Sequence, residues 1–271
     1  MNTVVNSVAV AALLALAGTA GAQQSVASRT VVTPEGVRTV AQTSPLSPGW
    51  SPTPDSVQWV YENTFAGLPA NVSISGSTQQ VWVGQTLNGE RLERLDFADN
   101  VPDFSFTAGL NAPAGVAASE GADLAVFLDG ASSSGPFTLR AFNSTSTSQL
   151  WSFDFPPEFN NAFDSEMWNR MRVSRDGQVA AVAITAFDQA TSQGFSRVWF
   201  FNAQTGAVIS TYTSAIGRFV NGVDMTDDGS RVVLTENDTA VVVTTSNAAV
   251  EFSAAVSGSG GRFKISGNGE N

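Results

Sequence analysis

The sequence predicts an all-β fold made of repeated four-stranded antiparallel units, and three observations predict it. From residue 57 onward, β-branched and aromatic runs are punctuated by Asp-Gly, Asn and Ser/Thr turns. One grammar recurs five times: an apolar–x–apolar pair, a hydroxyl residue, a polar turn, then an apolar strand. Its marker residues Ser75, Ser119, Ser174, Thr226 and Ser266 are separated by 44, 55, 52 and 40 residues, close to the roughly 40–50 residues of one propeller blade. Finally, Val198-Trp199-Phe200-Phe201 does not alternate, which implies a strand buried on both faces. A two-sheet sandwich would leave one face of each sheet wet. The predicted architecture is a β-propeller of four-stranded antiparallel blades, incomplete, with about three to four full blades plus the start of another.

The elements follow in order. Residues 1–22 read as a secretory signal peptide, with an apolar stretch from Val8 to Ala17 and the small residues Ala20-Gly21-Ala22 before a cleavage site at Gln23. The first basic residue is Arg29, so the leader relies on its α-amine for positive charge. Its apolar stretch is about half of the roughly 20 residues that a membrane span needs. Residues 23–56 read as a Pro/Ser/Thr-rich linker, because Pro45, Pro48, Pro52 and Pro54 remove ladder donors and bias their predecessors to extended backbone.

The blades occupy 57–271. The five copies are "VSISGSTQQVWV" from Val72, "VAASEGADLAVF" from Val116, "MRVSRDGQVAAV" from Met171, "VDMTDDGSRVVL" from Val223 and "FKISGNGEN" from Phe263. Asp176-Gly177 and Asp228-Gly229 supply positive-φ turns, with Gly121 and Gly269 expected in the same place. The first copy is the worst match. A second hairpin closes each unit: "VWFFNAQTGAVISTY" aligns with "LRAFNSTSTSQLWSFDF" and "AVVVTTSNAAVEFSA". Asn143 and Asn202 should cap its loop, and Gly206 should be left-handed. The sequence stops at Asn271, within the fifth inner turn, which reads as a truncated propeller. A four-bladed ring closed by the early strand around Trp59 is the alternative.

These residues resemble the quinoprotein-like and YVTN/WD40-like β-propeller repeats. "FFNAQTGAVISTY" is similar to their Asn-x-x-Thr-Gly hairpin, Leu150-Trp151 to the quinoprotein-type repeat ending, and "VSRDGQVAAVA" and "MTDDGSRVVLT" to the inner turn. The resemblance implies an extracytoplasmic propeller over residues 72–271. Catalytic quinoproteins bind pyrroloquinoline quinone with calcium, many with a vicinal Cys pair. This chain has no Cys and no matching carboxylate set, so no catalytic residue is carried over.

Composition excludes more chemistry than it suggests. Zero Cys and zero His remove thiol catalysis, disulfides, zincin chemistry and Ser-His-Asp hydrolysis within this chain. A net charge of −11 repels phosphate backbones, so nucleic acid is not an expected partner. Asp224, Asp227 and Asp228 lack the spacing of a calcium loop and read as a hairpin turn. The candidate ligand or partner surface is the rim where connections enter the inner strands: Trp168 and Arg170 before Met171, and Arg218 and Asn221 before Val223. The alternative places Trp168 between blades and Arg170 on the rim as a solvated charge. The expected function is an exported, non-catalytic binding or scaffolding module without cofactor, metal or catalytic residue, whose partner is a protein, glycan or small ligand. After signal cleavage no membrane span is expected, and self-association through unclosed blade edges is foreseen. An enzyme whose catalytic residues lie beyond residue 271 is the competing reading.

Overall fold

The computed structural model describes residues 68–75, 77–86, 91–96, 102–107, 115–130, 137–159, 170–188, 193–255 and 263–269, with short strands at 9–10, 28–33, 36–41 and 61–62. The chain divides into two compact units. One comprises Met1–Ala66 with Asp96–Val101, the other Gly67–Leu95 with Pro102–Asn271.

In the first unit β1 (Ala9–Val10) pairs with β4 (Tyr61–Glu62), and β2 (Ser28–Thr33) with β3 (Gly36–Ala41), both antiparallel. The β2–β3 ribbon lies inside the segment read as linker. Apart from β1, the leader lies outside the described residues.

Among the described residues, the second unit forms four blades of an incomplete β-propeller, each a four-stranded antiparallel sheet with its strands in sequence order. Blade 1 is β5 (Leu68–Ser75), β6 (Gln80–Thr86), β7 (Arg91–Asp96) and β8 (Phe104–Thr107). Blade 2 is β9 (Gly115–Ala118), β10 (Ala125–Gly130), β11 (Phe137–Phe142) and β12 (Trp151–Asp154). Blade 3 is β13 (Met171–Val173), β14 (Val179–Asp188), β15 (Gln193–Asn202) and β16 (Val208–Thr213). Blade 4 is β17 (Val220–Met225), β18 (Arg231–Glu236), β19 (Thr239–Thr244) and β20 (Val250–Ala255). The inner strands β5, β9, β13 and β17 neighbour one another in that order, and the copy that matched worst forms a complete blade.

Burial on both faces is literal. Along β14, Ala180, Val182, Ile184 and Ala186 join the core shared with blade 2, while Ala181 and Ala183 join the core shared with blade 4. On β15, Trp199 and Phe201 go to the first core, Val198 and Phe200 to the second. A strand's period of two sends successive side chains to opposite faces, and here each face meets another blade. A third core joins Trp82, Leu92 and Phe104 of blade 1 to Val116, Phe127 and Phe142 of blade 2.

The inner turns explain the repeat. The amides of Gly177, Gly229 and Gly269 donate to the carbonyls of Ser174, Thr226 and Ser266, each at 2.9 Å. The three glycines have φ of 70°, 67° and 71°, the left-handed conformation that L residues resist. The hydroxyl caps its own turn: Ser174 Oγ accepts from the amides of Gln178 (3.1 Å) and Val179 (2.9 Å). Turns are also tied to the next blade, with Ser77 N–H donating to Glu120 O, Gly121 to Arg175 O, Asp176 to Asp227 O and Asp227 to Gly267 O. Gly121 corrects the sequence reading, because its φ is not positive. A Cβ there would lie 2.6 Å from the Arg175 carbonyl, so this glycine permits close approach of the next turn. Residues 263–269 run beside β17, with Ile265 N–H on Asp224 Oδ2 at 3.2 Å.

Candidate functional site

Of the rim candidates among the described residues, Arg170 and Asn221 meet, and Arg218 makes other contacts. Trp168 lies outside the described residues. The Arg170 guanidinium donates to Thr185 Oγ1 at 2.9 Å and to Asn221 Oδ1 at 3.4 Å, and Arg170 is only 3% exposed. It is therefore a buried group at the junction of blades 3 and 4, and neither a solvated rim charge nor an accessible ligand anchor. Thr185 and Ser196 face each other across β14 and β15, their hydroxyls 3.1 Å apart. Ser196 Oγ then accepts from Val220 N–H at 3.0 Å. This run satisfies polar groups that would be costly to bury alone, and it crosses from one blade to the next.

Arg218 remains at the surface. Its side chain is 49% exposed, with Nε 4.0 Å from Glu236 Oε1 and Nη1 3.4 Å from Thr239 Oγ1. Glu236 is buried and accepts a 2.6 Å hydrogen bond from the Tyr212 hydroxyl. Burial, reinforced by that bond and by the carboxylate charge, raises the Tyr212 pKa well above the ordinary phenol range.

The loop carrying Arg218 is rigidly held. Gly217, at φ 83°, donates to Gly194 O at 2.8 Å. The Phe219 ring packs on Gly194 so closely that a Cβ there would sit 2.3 Å from it. Asn237 Oδ1 accepts from Phe219 N–H at 2.9 Å. Exposed Ile216 lies on this loop, and exposed Phe187 pairs across the strands with Gly194. The result is a half-exposed guanidinium on a braced loop that also carries exposed Ile216, a combination suited to a carboxylate or other oxyanion presented beside an apolar group.

The opposite end, at the inner turns, carries ion pairs. Asp224 of β17 bridges Arg172 of β13 (3.3 Å) and Lys264 of the segment 263–269 (3.4 Å). Asp227 meets Arg175 at 3.4 Å. Asp228 caps its turn, accepting from Ser230 N–H at 2.9 Å and the Thr226 hydroxyl at 2.7 Å. These bonds hold its pKa below the ordinary value, the backbone one most strongly. The three aspartates thus serve separate sets of partners, and among the described residues no three carboxylates converge. A shallow depression lined by Ile74, Ser77, Glu120, Gly121 and Arg175 lies between the inner turns.

Sequence reasoning missed the side chains that join the outer edges of the blades. Arg94 of blade 1, 5% exposed, pairs with Asp103 at 2.8 Å and donates to Asn143 O of blade 2 at 2.7 Å. Trp151 of blade 2 donates its indole N–H to Ala203 O of blade 3 at 2.8 Å. Ser210 of blade 3 donates to Thr245 O of blade 4 at 2.6 Å. The readable signal was the hairpin itself, because each acceptor carbonyl lies at or one residue after Asn143, Asn202 or Thr244.

No protein-family model matches the sequence, and no curated protein matches it. Solved structures do match, among them hydrazine synthase from Kuenenia stuttgartiensis, at 11% identity and a TM-score of 0.55. The match covers 74% of this chain and 66% of that one, so this chain spans just under two thirds of its length. At that identity the likeness is one of fold alone, and the fold it agrees with is the stack of four-stranded antiparallel blades described above.

Proposed function

We propose that this chain is an exported, non-catalytic β-propeller module that presents the rim around Arg218 to a partner carrying an oxyanion beside an apolar group. The partner is a protein, a glycan or a small ligand. The observation that carries the reading is the division of labour between two arginines: Arg170 is 3% exposed and spent on blade docking, whereas Arg218 is half exposed beside Ile216 on a braced loop. Binding residues on loops held by a rigid scaffold are a common arrangement.

The test uses immobilised acidic glycans and acidic peptides offered to the folded chain. Retention by the wild type and at least a tenfold loss in Arg218→Ala, with unchanged melting, is expected. Equal retention by the two proteins, or none by either, overturns the reading. Export is tested separately by fusing residues 1–28 to a reporter, where cytoplasmic retention removes that part.

The competing reading, a propeller within a quinoprotein-like oxidoreductase or other larger enzyme, draws on the Leu150-Trp151 repeat ending. Trp151 serves blade docking, so that signature favours a scaffold as much as an enzyme. Quinone- and calcium-dependent dye reduction by the purified chain would reverse this preference.

A further inference from the structure

The hydroxyl–x–x–Gly inner turn recurs with one change of residue. Asp176 and Asp228 precede Gly177 and Gly229, whereas Asn268 precedes Gly269. In the two Asp turns the carboxylate accepts from the marker hydroxyl, Ser174 Oγ at 2.6 Å and Thr226 Oγ1 at 2.7 Å. It also accepts from the amide two residues on, Gln178 at 3.0 Å and Ser230 at 2.9 Å. In the Asn turn the Ser266 hydroxyl donates to Asn268 Oδ1 at 2.9 Å, and Asn268 is exposed. Asparagine followed by glycine is the pair most open to attack by the backbone on its own side chain, because no Cβ shields the glycine nitrogen.

We infer that Asn268 is a site of spontaneous deamidation, and that its conversion to aspartate gives this turn the cap that its two sister turns already carry. The Gly269 nitrogen, once its proton has passed to hydroxide, bonds to Asn268 Cγ. The carboxamide nitrogen leaves as ammonia, taking a proton from water. Water then adds to the resulting succinimide, and breaking the new C–N bond leaves aspartate. Breaking the other ring C–N bond leaves isoaspartate, which lengthens the main chain, so only the first product keeps the spacing of the sister turns. During the attack negative charge develops on Asn268 Oδ1, where the Ser266 hydroxyl already donates. The Gly269 N–H is held by Ser266 O at 2.9 Å, so the turn must open before the nitrogen can react. That opening is local, because residues 263–269 form no strand. Asn221-Gly222 supplies the contrast within the same chain. It lies in β17, where Gly222 pairs with Thr235 of β18, and freeing it means parting two strands of blade 4. The inference is independent of the Arg218 reading.

Peptide mapping of the folded full chain, held in mildly alkaline buffer, tests it, because tryptic cleavage at Lys264 separates Asn268 from Asn221. The mass gain of an amide-to-acid exchange should appear at residue 268 at least tenfold faster than at residue 221. Ser266→Ala should slow the exchange at least threefold, and Ser266→Thr, which keeps the donor, should restore it. Asn268→Asp, standing for the product, should melt no lower than the wild type. No conversion at 268, equal rates at 268 and 221, faster conversion in Ser266→Ala, or a lower melting temperature in Asn268→Asp overturns the proposal.

Discussion

The indole of Trp151 lies over Gly206 of the next blade, so close that a Cβ at 206 would fall 2.7 Å from the ring. One interface further on, Ser210 stands where Trp151 stood and Ala248 where Gly206 stood. Gly206 N–H donates to Asn202 O and Ala248 N–H to Thr244 O, at 2.8 and 2.9 Å, and both residues are left-handed, at φ 75° and 56°. A large docking side chain coincides with glycine, and a small one leaves room for alanine.

Two opposite substitutions follow. Gly206→Ala places a Cβ against the indole and forces a left-handed alanine, and should cost about 1–3 kcal/mol in urea unfolding. Ala248→Gly relieves the left-handed strain but enlarges the entropy of the unfolded chain. It should be neutral or stabilising, within about 1 kcal/mol. A large loss from Ala248→Gly would mean that its methyl group is an essential contact of the blade 3–4 core.

Trp199 tests burial between blades directly. It is 3% exposed, and its ring lies 4.8 Å from Phe155 and 4.7 Å from Phe159, edge to face in both cases. Trp199→Ala should destabilise by roughly 3–5 kcal/mol. A change below about 0.5 kcal/mol in the same melts, the size usual for ordinary surface substitutions, would contradict the packing.

The Tyr212–Glu236 pair makes a statement about alkaline pH. The phenol pKa is raised in the folded protein, so below about pH 10, the ordinary tyrosine value, both states keep the proton and the contribution is whole. Above that, the unfolded phenol ionises while the folded one keeps its proton, and stability falls as pH rises. Tyr212→Phe should remove this share of the alkaline slope. At neutral pH it should cost about 1.5–3 kcal/mol, because the buried carboxylate loses a donor.

Asp228 acts at the other end of the scale. Its pKa is lowered by the Ser230 amide and then by the Thr226 hydroxyl, so its contribution is complete above the ordinary aspartate range, near pH 4. It is lost as pH falls through the folded value. Asp228→Asn should lower the neutral plateau by the share that the wild type loses in acid, and flatten that part of the acid limb of a stability–pH profile. An unchanged acid limb would remove the capping role.

These cases show what was legible in the sequence. The hydroxyl–x–x–Gly turns at Ser174 and Thr226 were readable because a turn is a local problem, solved within four residues by a small acceptor and a left-handed glycine. The unbroken apolar run at Val198–Phe201 was readable because strand periodicity reports burial without naming the neighbour. Gly121 was misread because its reason lies across a blade boundary, at the Arg175 carbonyl. Arg170 was unreadable for the same cause: its partners Thr185 and Asn221 lie 15 and 51 residues away, and only the stacking of blades brings them together.

The two arginines of the rim give the sharpest separation of stability from binding. Arg170 is enclosed, and truncating it to Met leaves Thr185 Oγ1 and Asn221 Oδ1 without their charged partner. Arg170→Met should therefore destabilise by at least about 2 kcal/mol. Any loss of binding in that variant should disappear when retention is measured per folded molecule. Arg218 is 49% exposed and 4.0 Å from Glu236, a pairing worth at most about 1 kcal/mol at such a site. Arg218→Ala should melt almost as the wild type does while losing retention on acidic ligands. Arg218→Lys keeps the charge but not the planar fork, and should recover only part of it. If Arg170→Met instead unfolded normally and bound poorly, the buried cluster would belong to the binding site, and the assignment of the two arginines would have to be exchanged.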